Sequence, residues 1–534
     1  MNEATEHWQV SKRAVVHDGG MVAAQHHVAA RAGADQLAAG GNAVDAAIAA
    51  ALTLGVVEPW MCGLGGSGLM TLWLARERRA EVIDFQGVLP KAIALADYPI
   101  DPALPTTLMG FPTVRGRANV EGYRSITVPG AAAGFDLALA RHGTRTLPEI
   151  AAPAIALARG GIACDWFTTL QIALAMAPLG RDATSSAIYL PDGRPRLPET
   201  HWSIPALADT LEAFAAGGAE TFYRGELGER IAADLAAGGS CITADDLAAY
   251  AAEVEDAERV VHRGTALFTP GERSGGRRLG DALAHVATRL PEPPDAPTPA
   301  TWALYAEALD LAWRRHDALV GRTTETGSCT SHLSAVDAEG NFAALTHTLL
   351  DRFGSGVTLP SSGLLMNNAV AYFDPRPGRP TTMAPGKRIN ASNMCPTIGV
   401  RADGGGFALG ASGGNLIMPA VTQVVALMLD FGLSVEEAID SPRLDASDRG
   451  SVRADPRLGA DTLAELGQAR ELEIAQRLVF PKLYGCVSGV ARDTGGECRG
   501  INDPSMPSGG ASGPVTFEVS SVTPRADEAP AVRP

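Results

Sequence analysis

The chain has 534 residues, 46% of them hydrophobic and 19% charged, with a net charge of −16. An acidic surface repels polyanions, which excludes nucleic acid and anionic membrane as main partners. The length suits one large layered domain or two intimate ones. No apolar run of signal-peptide length stands in "MNEATEHWQVSKRAVVHDGG", and later apolar runs are broken by charges or glycines, so a cytoplasmic protein is expected. The seven cysteines are scattered and never in C-x-x-C spacing, and no H-E-x-x-H occurs. Reduced thiols are expected, with neither a disulfide framework nor a metal site.

In chain order, residues 22–57 read as a helix-rich start, alanine-rich with apolar positions at helical spacing. Gly40-Gly41 divides them into two helices, with Asn42 or Asp45 near the second N-terminus. "GLGGSGLMTLWLA" then leads from glycines into a strand, and "AEVIDFQ" reads as another. Residues 131–260 read as helical, with "GAAAGFDLALARHG", "LPEIAAPAIALARGG" and "ALADTLEAFAAGG" each ending at glycine. Residues 270–300, rich in Gly, Pro and Arg, read as a loop region. An amphipathic helix in "WALYAEALDLAWRRHDAL" precedes the polar linker "VGRTTETGSC".

Beyond the linker the period changes. "HLSAVDAEGNFAALTHTL" alternates on both sides of Glu339-Gly340-Asn341, a hairpin signal. Two strands follow in "CPTIGVRADGGGFALGAS", then a helix in "MPAVTQVVALMLDFGLSVEEAID" and a disordered tail after about residue 520. Helices first and hairpins later indicate an α+β sandwich.

Three stretches invite chemistry. "GLGGSG" (63–68) matches G-x-G-x-x-G, but it follows a helix and opens a strand, the reverse of the dinucleotide motif, and reads as a packing loop. Cys329 is a thiol without a nearby base at protease spacing. Thr330 opens the first hairpin strand, which puts Thr348 across from it. A threonine hydroxyl needs a base, and cleavage before Thr330 would supply one as the freed α-amine. These residues alone leave an ordinary strand threonine as the other reading.

"GGNAVDAAIAAALTLGVVEPWMCGLGGSG" (40–68) and "TSHLSAVDAEGNFAALTHTL" (330–349) resemble the γ-glutamyltransferase family of N-terminal nucleophile hydrolases. "SGLLMNN", "MCPTIG" and "GASGGN" continue the resemblance in the same order. It implies a four-layer αββα sandwich with extra helices from the large fragment. It also implies a precursor that cuts itself between Cys329 and Thr330, into fragments 1–329 and 330–534 that remain together as a heterodimer. A higher oligomer stays open. No cofactor or metal is implied, and the partner is a small-molecule substrate.

By the same resemblance, Thr330 is the nucleophile with its own α-amine as base. Thr348 is the hydroxyl that positions it, and Gly413-Gly414 provide the oxyanion N–H groups. The glutamate-binding positions depart from the family. Gln86 stands where an arginine is expected, Leu350 for Asn, Ala369 for Gln or Glu, and Tyr372 for Asp. Of a serine pair Ser392 remains, and the second is Asn393. A neutral amide is a poor substitute for a guanidinium fork, so a non-glutamyl substrate is expected. The alternatives are a true γ-glutamyl hydrolase or transpeptidase in which Arg352 or Arg388 replaces the lost arginine, a hydrolase of carbon–carbon bonds beside a carbonyl, and an inactive binding homologue.

Overall fold

The computed structural model describes residues 10–320, 329–447 and 450–515, without the side chains of residues 318–320 and 329. Most of the polar linker and the tail after residue 520 lie outside these residues, as does the Cys329 side chain.

Two seven-stranded sheets face each other. The first runs Gly510–Ser512, Gly20–Ala24, Cys329–Asp337, Phe342–Leu350, Ser67–Leu74, Arg79–Phe85, Glu253–Asp256. The second runs Val15–His17, Cys498–Asn502, Cys486–Arg492, Gly406–Ser412, Thr397–Val400, Thr265–Thr269, Glu258–His262. Every pairing within the two sheets is antiparallel. Helices His27–Ala38, Ala43–Val57, Ala131–His142 and Leu147–Gly160 share a core with the outer face of the first sheet. Gly276–Arg289, Pro299–Val320 and Ile417–Asp430 cover the second sheet. The result is the four-layer αββα sandwich, with the remaining helices of the first half of the chain around it.

Small residues let the two sheets approach. Ala23, Ala344 and Ala408 pack between them with Met21, Trp73, Val336 and Phe342. A Cβ at Gly410 would lie 2.2 Å from the His332 ring, so this glycine makes room for the imidazole. That ring is held by Thr346 Oγ1 at 2.8 Å and Ser334 Oγ at 2.9 Å.

Local chemistry fixes the elements that carry the site. Asn42 and Asp45 form a capping box at the start of Ala43–Val57. The hairpin turn is tied by Asp337, whose carboxylate accepts from the backbone N–H groups of Glu339 and Asn341, while Gly340 takes φ +83°. The glycine run 63–68 is a packing loop: a Cβ at Gly66 would stand 2.4 Å from the Thr348 carbonyl oxygen, and one at Gly68 2.2 Å from that of Thr346.

Three expectations are corrected. The stretch 270–300 contains the helix Gly276–Arg289, because Leu279, Ala282, Leu283 and Val286 line one buried face. Its glycines and arginines mask that period, and buried Arg278 spends its charge over the Trp313 ring, 4.3 Å away. The helical reading of 131–260 also overruns the strands Glu253–Asp256 and Glu258–His262, whose alternation is hidden by exposed acids on sheet-edge strands. The helix over "ALADTLEAFAAGG" does not stop at Gly217-Gly218. It reaches Tyr223 through a break at Gly218 (φ +58°), where Asp136 accepts the N–H of Ala219.

Candidate active site

The hairpin carries the central pair. Thr330 and Thr348 are both buried, and Thr330 Oγ1 donates to Thr348 Oγ1 at 3.4 Å. The ladder pairs Cys329 with Leu350 and Ser331 with His347, so Thr348 and Leu349 together face Thr330 and the extra residue lies on the second strand. A bulge of this kind re-aims the side chain at its apex. Thr348 Oγ1 also accepts the backbone N–H of Leu350 at 2.8 Å. Leu350 has φ +85°, a conformation that costs a branched residue about 1–3 kcal/mol and that surrounding contacts must impose. Two of them are visible: Leu349 N–H donates to the Met61 carbonyl at 2.9 Å, and Phe353 N–H to that of Trp60 at 3.0 Å.

Gly413 and Gly414 follow the strand Gly406–Ser412 with φ +128° and +59°, both in the region that favours glycine. Two successive glycines in this region can turn backbone N–H groups toward an anion. Gly413 and Ser412 border a cleft of about 420 Å³ together with Met61, Asp351 and Arg352. Burial pushes the Asp351 carboxyl up to about 6, while Asn368 Nδ2, which donates to it at 2.7 Å, opposes the shift.

The remaining positions singled out from sequence lie apart from this cleft. Leu350, Ala369 and Tyr372 join one buried cluster with Leu69, Val82 and Met394. Gln86 lies against that cluster, with its Nε2 3.4 Å from Met394 Sδ and its Oε1 accepting from Ser67 Oγ at 3.5 Å. Tyr372 donates to Asn393 Oδ1 at 3.3 Å. Ser392 Oγ, Asn393 Nδ2 and Ser412 Oγ are buried without a hydrogen-bond partner among the described residues. Buried polar atoms of this kind are costly unless something pairs with them, which suits groups that wait for a substrate.

Arg388 is engaged elsewhere. It donates to the Gln86 and Ala251 carbonyls at 3.1 and 2.9 Å and pairs with Asp84 and Glu253. Asp84, Glu253 and Glu255 form the one acidic group of metal-binding size among the described residues, and Arg273 pairs with all three.

Sequence reading did not single out Glu58. It is fully buried, accepts from Ser331 Oγ at 3.4 Å, and burial pushes its carboxyl up to about 8. Lys482 was missed as well, because it comes from an irregular loop whose approach to the cleft leaves no local signal.

The sequence profile of the family described as Gamma-glutamyltranspeptidase matches residues 29–324 and 314–513. The chain is 32% identical over 470 residues to the Acylase ACY 1 proenzyme of Pseudomonas sp. (strain V22), covering 81% of this chain and 83% of that protein. It is 29% identical to the Glutathione hydrolase proenzyme of Escherichia coli (strain K12), over 91% of this chain and 90% of the other. The structure superposes on the cephalosporin acylase from Bacillus halodurans with a TM-score of 0.83 at 25% identity, covering 96% of this chain and 99% of that one.

Proposed function

This chain belongs to the gamma-glutamyltranspeptidase family and is an acyl hydrolase of that type, and we propose that it acts through Thr330 on a non-glutamyl amide. The observation that carries the reading is the Thr330–Thr348 hydroxyl pair at a bulge of the central hairpin. Relatives named as acylase and glutathione hydrolase are both described as proenzymes, which supports maturation by cleavage here.

Maturation hydrolyses the Cys329–Thr330 peptide bond with one water, leaving a carboxyl on Cys329 and an α-amine on Thr330. An unperturbed α-amine has a pKa of about 7.7–8.0, which lets it accept the Thr330 hydroxyl proton near neutrality. The hydroxyl oxygen then attacks the substrate carbonyl. Backbone N–H groups of Gly413 and Gly414 receive the developing oxyanion, a contribution of about 2.7–4 kcal/mol per donor in comparable sites. Collapse of the intermediate expels the amine, which takes up the proton, and leaves an ester on Thr330. Water hydrolyses the ester by the reverse relay and restores the hydroxyl.

The acyl half meets Leu350, Ala369, Tyr372, Ser392 and Asn393. These offer apolar surface, a phenol, a hydroxyl and an amide, but no charge to pair with a free amino-acid head. The ionic commitments of Arg388 weigh against its replacing the arginine missing at Gln86. The test is a denaturing gel of the purified protein beside Thr330→Ala. Two fragments from the wild type and one chain from the variant are expected, and a cut Thr330→Ala chain would overturn the reading.

A further inference from the structure

The cleft at Gly413 carries more positive charge than its own acids neutralise. Arg117 is paired, its Nε 2.6 Å from Glu121. Arg352 has no carboxylate within ion-pair distance among the described residues. Its Nε donates to buried Gln171 Oε1 at 2.6 Å, which fixes the side chain without cancelling its charge. Neighbouring Asp351 is hydrogen-bonded to Asn368 and acts on Arg352 and Arg117 through space, without a direct ion pair to Arg352. Lys482 likewise lacks a carboxylate partner among the described residues. Its Nζ lies 3.1 Å from Met506 Sδ and 5.5 Å from the centre of the Phe167 ring. Lys482 acts electrostatically on Glu58, whose carboxyl burial pushes up to about 8.

The rim of the same cleft is apolar. Leu174 and Phe480 are each 42% exposed and line it, with Leu108 and Leu416 nearby. None of the acyl-side positions (Gln86, Leu350, Ala369, Tyr372, Ser392 or Asn393) borders it. The cleft thus borders Gly413 on a side that holds none of the acyl-side positions.

We propose that this cleft is the leaving-group site, and that Arg352 and Lys482 bind an anionic group on an otherwise apolar amine half of the substrate. The inference rests on the acyl-hydrolase reading above and adds the chemistry of the departing half. Charge-assisted hydrogen bonds in a partly desolvated cleft discriminate strongly between an anion and its neutral isostere.

The test compares two amides with the same butyryl group, one of aniline and one of 4-aminobenzoate. The quantity read is the ratio of their kcat/KM values. The wild type should favour the 4-aminobenzoate amide by tenfold or more. Arg352→Gln and Lys482→Gln should each cut that ratio severalfold, and together bring it to about one. A wild-type ratio near one, or a ratio unmoved by both substitutions, overturns the proposal. So does a preference that appears only when the carboxylate is moved to the acyl half. If neither amide is turned over, calorimetry of 4-aminobenzoate and aniline with the wild-type protein decides. Binding of the acid alone, abolished in the double variant, supports the cleft assignment, and equal or no binding of the two overturns it. Failure of the hydrolase reading is seen separately, as an uncut chain on the gel.

Discussion

Thr330 Oγ1 and Thr348 Oγ1 stand 3.4 Å apart across the one irregular step of an otherwise regular hairpin. The second hydroxyl is itself held by the Leu350 N–H at 2.8 Å. It therefore presents a fixed oxygen to the first, and the pair has little freedom to drift. Thr348→Val keeps the side-chain shape and removes that oxygen. Self-cleavage or turnover should fall tenfold or more, about 1.4 kcal/mol in the barrier. Unchanged rates would show that the pair has no part in the chemistry.

The backbone behind Thr348 offers a second handle. A Cβ at Gly66 would lie 2.4 Å from the Thr348 carbonyl oxygen, a backbone atom that cannot rotate away. Gly66→Ala should push the Ser67–Leu74 and Phe342–Leu350 strands apart, at a cost of about 1–3 kcal/mol. It should also slow cleavage, because Thr348 moves with its strand. Thermal unfolding and a time-resolved gel check both, and a variant with wild-type melting and wild-type cleavage contradicts the packing argument.

Glu58 links pH to stability. Its carboxyl is raised to about 8 by burial, whereas the unfolded chain ionises at the ordinary value near 4.5. Between these values the folded state holds a proton that the unfolded state has lost, so this group makes stability fall as pH rises. The slope is at most about 1.4 kcal/mol per pH unit. Lys482, Lys12 and Asp165 face the same carboxyl, and Lys12, lowered to about 8, begins to lose its proton only at the top of this window. Glu58→Gln should flatten the decline between pH 5 and pH 8 in denaturant titrations. A variant with the wild-type slope would place the titration elsewhere.

Much of this was legible in the chain. The helix pair within 22–57 and the hairpin around Gly340 follow from apolar period and turn chemistry, although the first helix begins only at His27 and residues 22–24 belong to the strand Gly20–Ala24. Pairing Thr330 with Thr348 needed only the turn position. The bulge between Cys329 and Ser331 was not legible, because it is imposed by tertiary contacts such as the Leu349–Met61 bond and leaves no residue signature. The Gly276–Arg289 helix was hidden by its composition. Arg352 stood out as a charge, but its lack of a direct ion pair goes with Asn368 holding Asp351, 17 residues away in the chain from that partner. Such pairings belong to the fold and not to any local stretch.

Specificity gives a fourth prediction. Gln86, Leu350, Ala369 and Tyr372 offer no charge to an α-amine or α-carboxylate, so γ-glutamyl anilides and glutathione should be poor substrates. Gln86→Arg alone should not restore them, because the α-amine still meets Leu350, Ala369 and Tyr372 without a carboxylate. The measurement is kcat/KM on a γ-glutamyl anilide for both proteins. A wild-type value of about 10⁴ M⁻¹s⁻¹ or more would make glutamyl hydrolysis the better account.

The most direct test of the Thr330 mechanism is the intact mass of the protein, acid-quenched during turnover of an amide that it hydrolyses. The account predicts two species, residues 1–329 and residues 330–534, with the acyl group carried as an ester on the second and mapped to Thr330. A single uncut chain with full activity, or an acyl group mapped to any other residue, would contradict it.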